Sequence, residues 1–334
     1  MNRKKSIIYT TAVIALLAVV LSSGFSLKSC FSKTLSRTFF AADTVCAITL
    51  YDGNENDLDG AVELCNSLAQ KLNCNDEKSE LYKLNKTKKV LSPSADLFDV
   101  IQKGKYFSSL ENGVFDITVK PLSTLWNFKD QLIPDENDIS DALKKIDYKN
   151  IILSEENVTV SLINNAEIDL GGIAKGYMAD EITDFLVQRD VKSAVINLGG
   201  NITVIGKKQN ENFTVGIQKP FEEGNSALIS CHDMSVVTSG IYQRYFENSG
   251  KIYHHLLNTK TGYPEQNELY SVTIISKSAT AADALSTLCF LKGLEKGMTL
   301  IEATPNTEAV FIDENNKLHL SSGLKLNGNL IEIK

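Results

Sequence analysis

Asp283 and Thr287 stand four residues apart in the run Thr280-Ala281-Ala282-Asp283-Ala284-Leu285-Ser286-Thr287. On a helix that spacing puts the carboxylate and the hydroxyl on one face, where both could ligate a hard cation such as Mg²⁺. An acid in a first helical turn is also what the helix dipole favours, so spacing alone leaves both readings open. Earlier, Ile168-Asp169-Leu170-Gly171-Gly172-Ile173-Ala174-Lys175-Gly176 passes from strand-like residues through paired glycines into a helical pattern. Such a turn can bring backbone N–H groups against a phosphate, with Lys175 adding positive potential, or it can be an ordinary strand-to-helix connection. It matches neither the Walker pattern nor G-x-G-x-x-G. A second pair, Gly199-Gly200-Asn201, is either a hairpin turn or a place where a ligand approaches bare backbone. In Tyr253-His254-His255-Leu256-Leu257-Asn258 the alternation of a strand sends the two imidazoles to opposite faces, so one can enter a site while the other meets solvent or core.

The elements that must hold these residues are legible from periodicity. Apolar residues at three- and four-residue spacing predict a helix over 57–72, and Ser94 and Pro134-Asp135 introduce two more, to about 110 and over 136–146. A helix over 173–187 follows the paired glycines, and another is expected over 281–291, capped by Thr280 and ended by Gly293. Strands are expected at 44–51, 151–153, 158–162, 167–170, 194–198, 203–205, 214–217, 252–257 and 270–275, with a closing hairpin of 309–312 and 318–320. No repeat or low-complexity linker divides the chain, so the expected class is α+β, with helices packed on mostly antiparallel sheet.

With 43% apolar and 22% charged residues in a chain of 334, the composition is that of a folded body with a sizeable core and excludes disorder or a small disulfide scaffold. The net charge is -7, and four of the basic residues, Arg3, Lys4, Lys5 and Lys28, fall in an acid-free first thirty, so the rest is more acidic still. A body without a basic stripe argues against a nucleic-acid partner. Any anionic ligand would need local basic residues, a metal or a helix N-terminus.

Arg3-Lys4-Lys5 precedes an uncharged run from Ser6 to Leu27, the pattern of a signal or membrane-anchor segment over 1–30, with the remaining chain on the outer face. Leu27-Lys28-Ser29-Cys30 resembles a lipoprotein processing box, so Cys30 is a candidate for lipidation beside an uncleaved anchor helix. The other five cysteines form no CxxC and have no histidine at zinc-finger spacing, and are expected to be small buried apolar residues.

Taken together, these words resemble the ApbE family of FAD:protein FMN transferases. The matching residues are Ser79-Glu80-Leu81 with Leu84-Asn85, Gly113-Val114-Phe115-Asp116-Ile117-Thr118-Val119 with Pro121-Leu122 and Trp126, Asp169 to Gly176, Asn197 to Asn201, Thr238-Ser239-Gly240 with Arg244-Tyr245, His255 to Pro264, and Ala279 to Asp283 with Thr287. They occur in the family's order and cover nearly everything after Ala42. The resemblance implies an ApbE-like fold over 31–334, with mixed and antiparallel sheets flanked by helices. It further implies Mg²⁺-dependent transfer of FMN from FAD to a Ser or Thr hydroxyl of an exported flavoprotein, releasing AMP. By matching position, the metal falls to the carbonyl of Gly172 and the side chains of Asp283 and Thr287. FAD falls against Val114, Phe115, Asp116, Asp169, Lys175 and Leu257, and His255 is similar to the family's active-site histidine, a group suited to taking the acceptor's proton. Two other readings are a Mg²⁺-dependent FAD pyrophosphatase and a flavin-binding lipoprotein without catalysis. The chain departs from the family where Ala42 replaces a common methionine, Asn75 a nearby aromatic, Thr259 a proline, and Ser286 a second acid beside the threonine.

Overall fold

The computed structural model describes residues 34–334, so the expected signal or anchor segment and Cys30 lie outside the described residues. The chain opens with the hairpin β1 (Leu35–Ala41) and β2 (Thr44–Leu50), then helices α1 (Glu55–Lys71) and α2 (Glu80–Thr87), strand β3 (Lys89–Leu91) and helix α3 (Ala95–Leu110). Two short helices, α4 (Lys120–Ser123) and α5 (Glu136–Leu143), precede β4 (Ile151–Ser154), β5 (Thr159–Leu162) and the helix α6 (Ala174–Val187). Strands β6 (Ser193–Leu198), β7 (Asn201–Gly206), β8 (Phe213–Gln218), β9 (Asn225–Cys231) and β10 (Met234–Gly240) follow. After them come β11 (Tyr245–Asn248), β12 (Lys251–His254), β13 (Leu269–Ser276), the long helix α7 (Ala279–Glu302), and β14 (Thr307–Asp313), β15 (Leu318–Leu320), β16 (Leu324–Asn327) and β17 (Leu330–Ile333).

Among the described residues the architecture is α+β, centred on an eight-stranded antiparallel sheet in the order β1-β2-β6-β7-β10-β13-β14-β15. Strand alternation builds two cores from one sheet. Val237, Ile274, Ala309 and Phe311 face the layer of α1, α6 and α7, while their neighbours Val236, Ile275, Val310 and Ile312 face the four-stranded sheet β16-β17-β9-β8. The middle strands are therefore covered on both sides, which explains why every residue of β13 except Tyr270 is buried, its Ser271, Thr273 and Ser276 included. A third cluster, around Leu122, Trp126, Ile139 and Leu257, packs α4 and α5 against the β11–β12 hairpin. Cys46, Cys65, Cys74, Cys231 and Cys289 are all buried free thiols.

Three expected elements differ from what the chain forms. Residues 167–170 make no strand; their polar groups go to other partners, the amide of Asn85 pairing with both the N–H and the C=O of Ile168 (2.7 and 2.8 Å) and Asp169 N–H donating to Ile117 O (2.8 Å). The strand expected over 252–257 ends at His254, whose Nδ1 accepts the N–H of Leu256 (3.3 Å) as the chain turns away. Helix α7 begins earlier, with Ser278 as its cap rather than Thr280, and it resumes after Gly293 instead of ending there. At Gly293 the backbone takes φ 76°, and Glu268 accepts the N–H of Leu294 (2.8 Å), so a side chain from before β13 bridges the kink.

Candidate active site

A cavity of about 960 Å³ opens where the ends of the central strands meet the N-terminal ends of α6 and α7. Four of the segments that line it carry the residues assigned to the site.

The first is the loop after α3. The buried carboxylate of Asp116 takes the N–H and hydroxyl of Thr118 (2.8 and 2.7 Å) on one oxygen and the N–H of Tyr148 (2.8 Å) on the other. Burial raises its pKa, and these three donors oppose that shift. Asp116 thus locks the loop, and the locked loop presents Val114 and Phe115 to the cavity.

The second is the paired-glycine turn. Asp169 accepts the N–H of Gly171 (2.9 Å) on one oxygen and the hydroxyl of Ser123 (2.7 Å) on the other, which pins the turn to α4. Beyond it, α6 begins without a side-chain cap, and Lys175 in its first turn lines the cavity. The N–H groups of Ala174 and Gly176 are already taken by Leu170 O (2.8 Å) and by Asp283 (2.9 Å), so what this helix start offers an anion is its dipole and the Lys175 ammonium.

The third is the start of α7. The carboxylate of Asp180, from α6, accepts the N–H groups of Ala279 and Thr280 (2.7 and 2.9 Å) and the hydroxyls of Ser278 and Thr280 (3.0 and 2.6 Å). One acid therefore caps the neighbouring helix and fixes its first turn. Asp283, buried to 4% exposure, takes the N–H of Gly176 on Oδ2 (2.9 Å) and turns Oδ1 toward Lys175 Nζ (4.0 Å). One turn on, the Thr287 hydroxyl bonds Ser239 of β10 (3.0 Å), which also bonds Ser286 (2.7 Å).

The fourth is the segment after β12. His254 is buried, with Nε2 bonded to Glu265 O (2.8 Å), and burial lowers its pKa to about 4. His255 instead borders the cavity, as does the buried Leu257. Its N–H donates to Arg244 O (3.2 Å), and Nδ1 lies 3.4 Å from the same carbonyl. That bond assigns the proton to Nδ1 and leaves Nε2 as the basic nitrogen. Crowding by surrounding atoms, and after it the nearby Arg244 guanidinium and His254, lower the pKa to about 3.

The structure thus brings to one cavity the ten residues that the resemblance assigned to metal, FAD or catalysis: Val114, Phe115, Asp116, Asp169, Gly172, Lys175, His255, Leu257, Asp283 and Thr287. Among the described residues no three or more His, Cys, Asp or Glu side chains cluster as a metal cage. The donors at Asp283 and Thr287 are nevertheless hard oxygens one helical turn apart, and Gly172 lies near the second of them, since a Cβ there would sit 3.7 Å from Thr287 Oγ1. Such a set suits Mg²⁺, which keeps few protein ligands and fills its shell with phosphate and water. Sequence reasoning missed Asp180, Ser239 and Asn85 as positioning residues. For Asp180 a signal existed, an acid four residues after Gly176 and so on the same face of α6.

The sequence profile of the ApbE family matches residues 42–311. The chain belongs to the ApbE family. It is 39% identical over 238 residues to an FAD:protein FMN transferase of Klebsiella pneumoniae, covering 70% of this chain and 74% of that relative. An FAD:protein FMN transferase of Treponema pallidum is 31% identical over 319 residues, 87% of this chain and 88% of its own. The crystal structure of the ApbE protein of Thermotoga maritima superposes with a TM-score of 0.80 at 29% identity, covering 87% of this chain and 97% of that one. ApbE membership agrees with the α+β architecture.

Proposed function

We propose that this protein is an FAD:protein FMN transferase, moving FMN from FAD to a Ser or Thr hydroxyl of an exported flavoprotein and releasing AMP. The observation that carries the reading is the meeting of a histidine held neutral, His255, with the Asp283–Thr287 oxygen pair in one cavity large enough for a dinucleotide. The names of the relatives support it.

Nε2 of His255 accepts the proton of the acceptor hydroxyl as its oxygen attacks the phosphorus of the FMN half. The new P–O bond forms while the pyrophosphate bridge breaks, and AMP leaves with the bridging oxygen. Lys175 and the start of α6 offset the negative charge gathered on the phosphates. Asp283, Thr287 and the carbonyl of Gly172 would hold Mg²⁺, which supplies Lewis-acid polarisation of the phosphoryl oxygens. Val114, Phe115, Asp116, Asp169 and Leu257 form the walls against which the flavin nucleotide lies. The basic Arg3-Lys4-Lys5 followed by an uncharged run supports action on the outer face of the cell membrane, anchored by the N-terminal segment.

Co-expression with candidate exported proteins, followed by flavin fluorescence of denatured bands, tests the reading. Covalent flavin is expected in the presence of Mg²⁺ and its loss with excess chelator. Transfer at full rate in chelator overturns the metal assignment, and rapid FMN release without an acceptor assigns water as the nucleophile instead.

A further inference from the structure

Asn201 opens β7 directly after the Gly199-Gly200 turn and borders the cavity. It is 2% exposed, and neither its amide nitrogen nor its amide oxygen has a hydrogen-bond partner. Buried amides are normally paired on both atoms, because an orphaned donor or acceptor forfeits its hydration without return. Across the hairpin its partner is the core residue Leu198, and a leucine at 201 would answer the packing without that cost. The turn beside it has room to spare on the cavity side: Gly200, at φ 94°, would carry a Cβ that meets nothing within 4 Å, while its N–H is held by Asn197 Oδ1 (2.9 Å).

We propose that Asn201 is a specificity-determining residue whose amide turns into the cavity and pairs with a ring edge of the bound dinucleotide, one offering a donor and an acceptor side by side. This rests on the reading that the cavity takes FAD. A phosphate only accepts, so it would satisfy the amide nitrogen and leave the oxygen orphaned. A ring edge satisfies both atoms, and FAD has two of them, the imide of the isoalloxazine and the amino-pyrimidine edge of the adenine. Both amide atoms are screened from water in the free protein, so engagement requires a side-chain rotation toward the glycine turn.

Calorimetric titration of the wild type and Asn201→Leu with FMN and with AMP, each with MgCl₂, tests this, with Asn201→Ala as a second variant that cannot overpack. Affinity for one nucleotide is expected to fall about ten- to a hundredfold while the other stays within about twofold. Loss on FMN assigns the isoalloxazine edge, and loss on AMP assigns the adenine. The melting temperature of ligand-free Asn201→Leu is expected to equal or exceed that of the wild type, since two unpaired atoms are gone. Unchanged affinity for both nucleotides in both variants overturns the assignment, as does an equal loss on both accompanied by a lower melting temperature. A wild type that binds neither nucleotide overturns the FAD reading itself, an outcome distinct from a wild type that binds and variants that match it.

Discussion

The N–H of Gly176 in α6 donates to Oδ2 of Asp283 in α7 across 2.9 Å, so the carboxylate at the centre of the site is aimed by the backbone of the neighbouring helix. That contact requires the helices to touch. A Cβ at 176 would come within 2.2 Å of Ala279 O and 2.7 Å of Asp283 Cβ.

Replacing Gly176 with alanine should therefore force α6 and α7 apart. We expect a stability loss of about 1–3 kcal/mol by denaturant titration, typical of overpacking. FMN transfer should fall further than stability alone explains, because Asp283 moves with α7. Asp283→Asn keeps the shape and loses the charge; its transfer should fall at least about a hundredfold, with little change in the unfolding midpoint. Wild-type transfer by either variant would show that the aim of this carboxylate is irrelevant.

Asp180 holds the first turn of α7 through four hydrogen bonds. Asp180→Ala should cost about 1–2 kcal/mol as a lost cap, and Asp180→Asn, which can still accept but carries no charge, should cost less. If both variants unfold with the wild type, α7 is positioned by packing alone.

His255 is neutral in the free protein because its surroundings depress its pKa to about 3. Protonation is what disables a base, so the acid limb of kcat/KM due to this group should lie well below the ordinary histidine value near 6.5. His255→Gln should remove that limb and lower transfer by about a hundredfold or more. A wild-type profile that halves near 6.5 would assign the base elsewhere or show the ring to be fully hydrated.

His254 gives a stability signature rather than a kinetic one. In the unfolded chain it gains a proton as pH falls below about 6.5, whereas in the folded chain it does so only near pH 4. Between those values the unfolded state binds more protons, so stability is fully present above about 6.5 and declines as pH falls toward 4, by at most about 3 kcal/mol. Urea midpoints of wild type and His254→Gln across that window should converge as pH drops. Parallel curves would remove His254 as the cause.

Much of the site was legible because its chemistry is local in the chain. Asp283 and Thr287 share a helix face by spacing alone, whereas the alternation of 253–255 did not choose between the two histidines: the family resemblance singled out His255, which lines the cavity while His254 is buried. The α+β class followed from periodicity for the same reason. What periodicity misjudged were boundaries set by distant partners. Residues 167–170 have strand composition, yet Asn85, 83 positions earlier, takes the polar groups of Ile168, and Glu268 carries α7 past a glycine that reads as its end.

The sequence by itself determined residue types, spacings and amphipathic faces, which were enough to fix the helices of the site and the family the chain resembles. Only the tertiary structure decided that Asp180 caps a helix nearly a hundred residues away, that Gly176 aims Asp283, and that the Asn201 amide is buried with nothing to bond. These are long-range facts. A hydrogen bond needs about 3 Å and correct direction, and a linear pattern carries no information about which distant segments are brought to that distance.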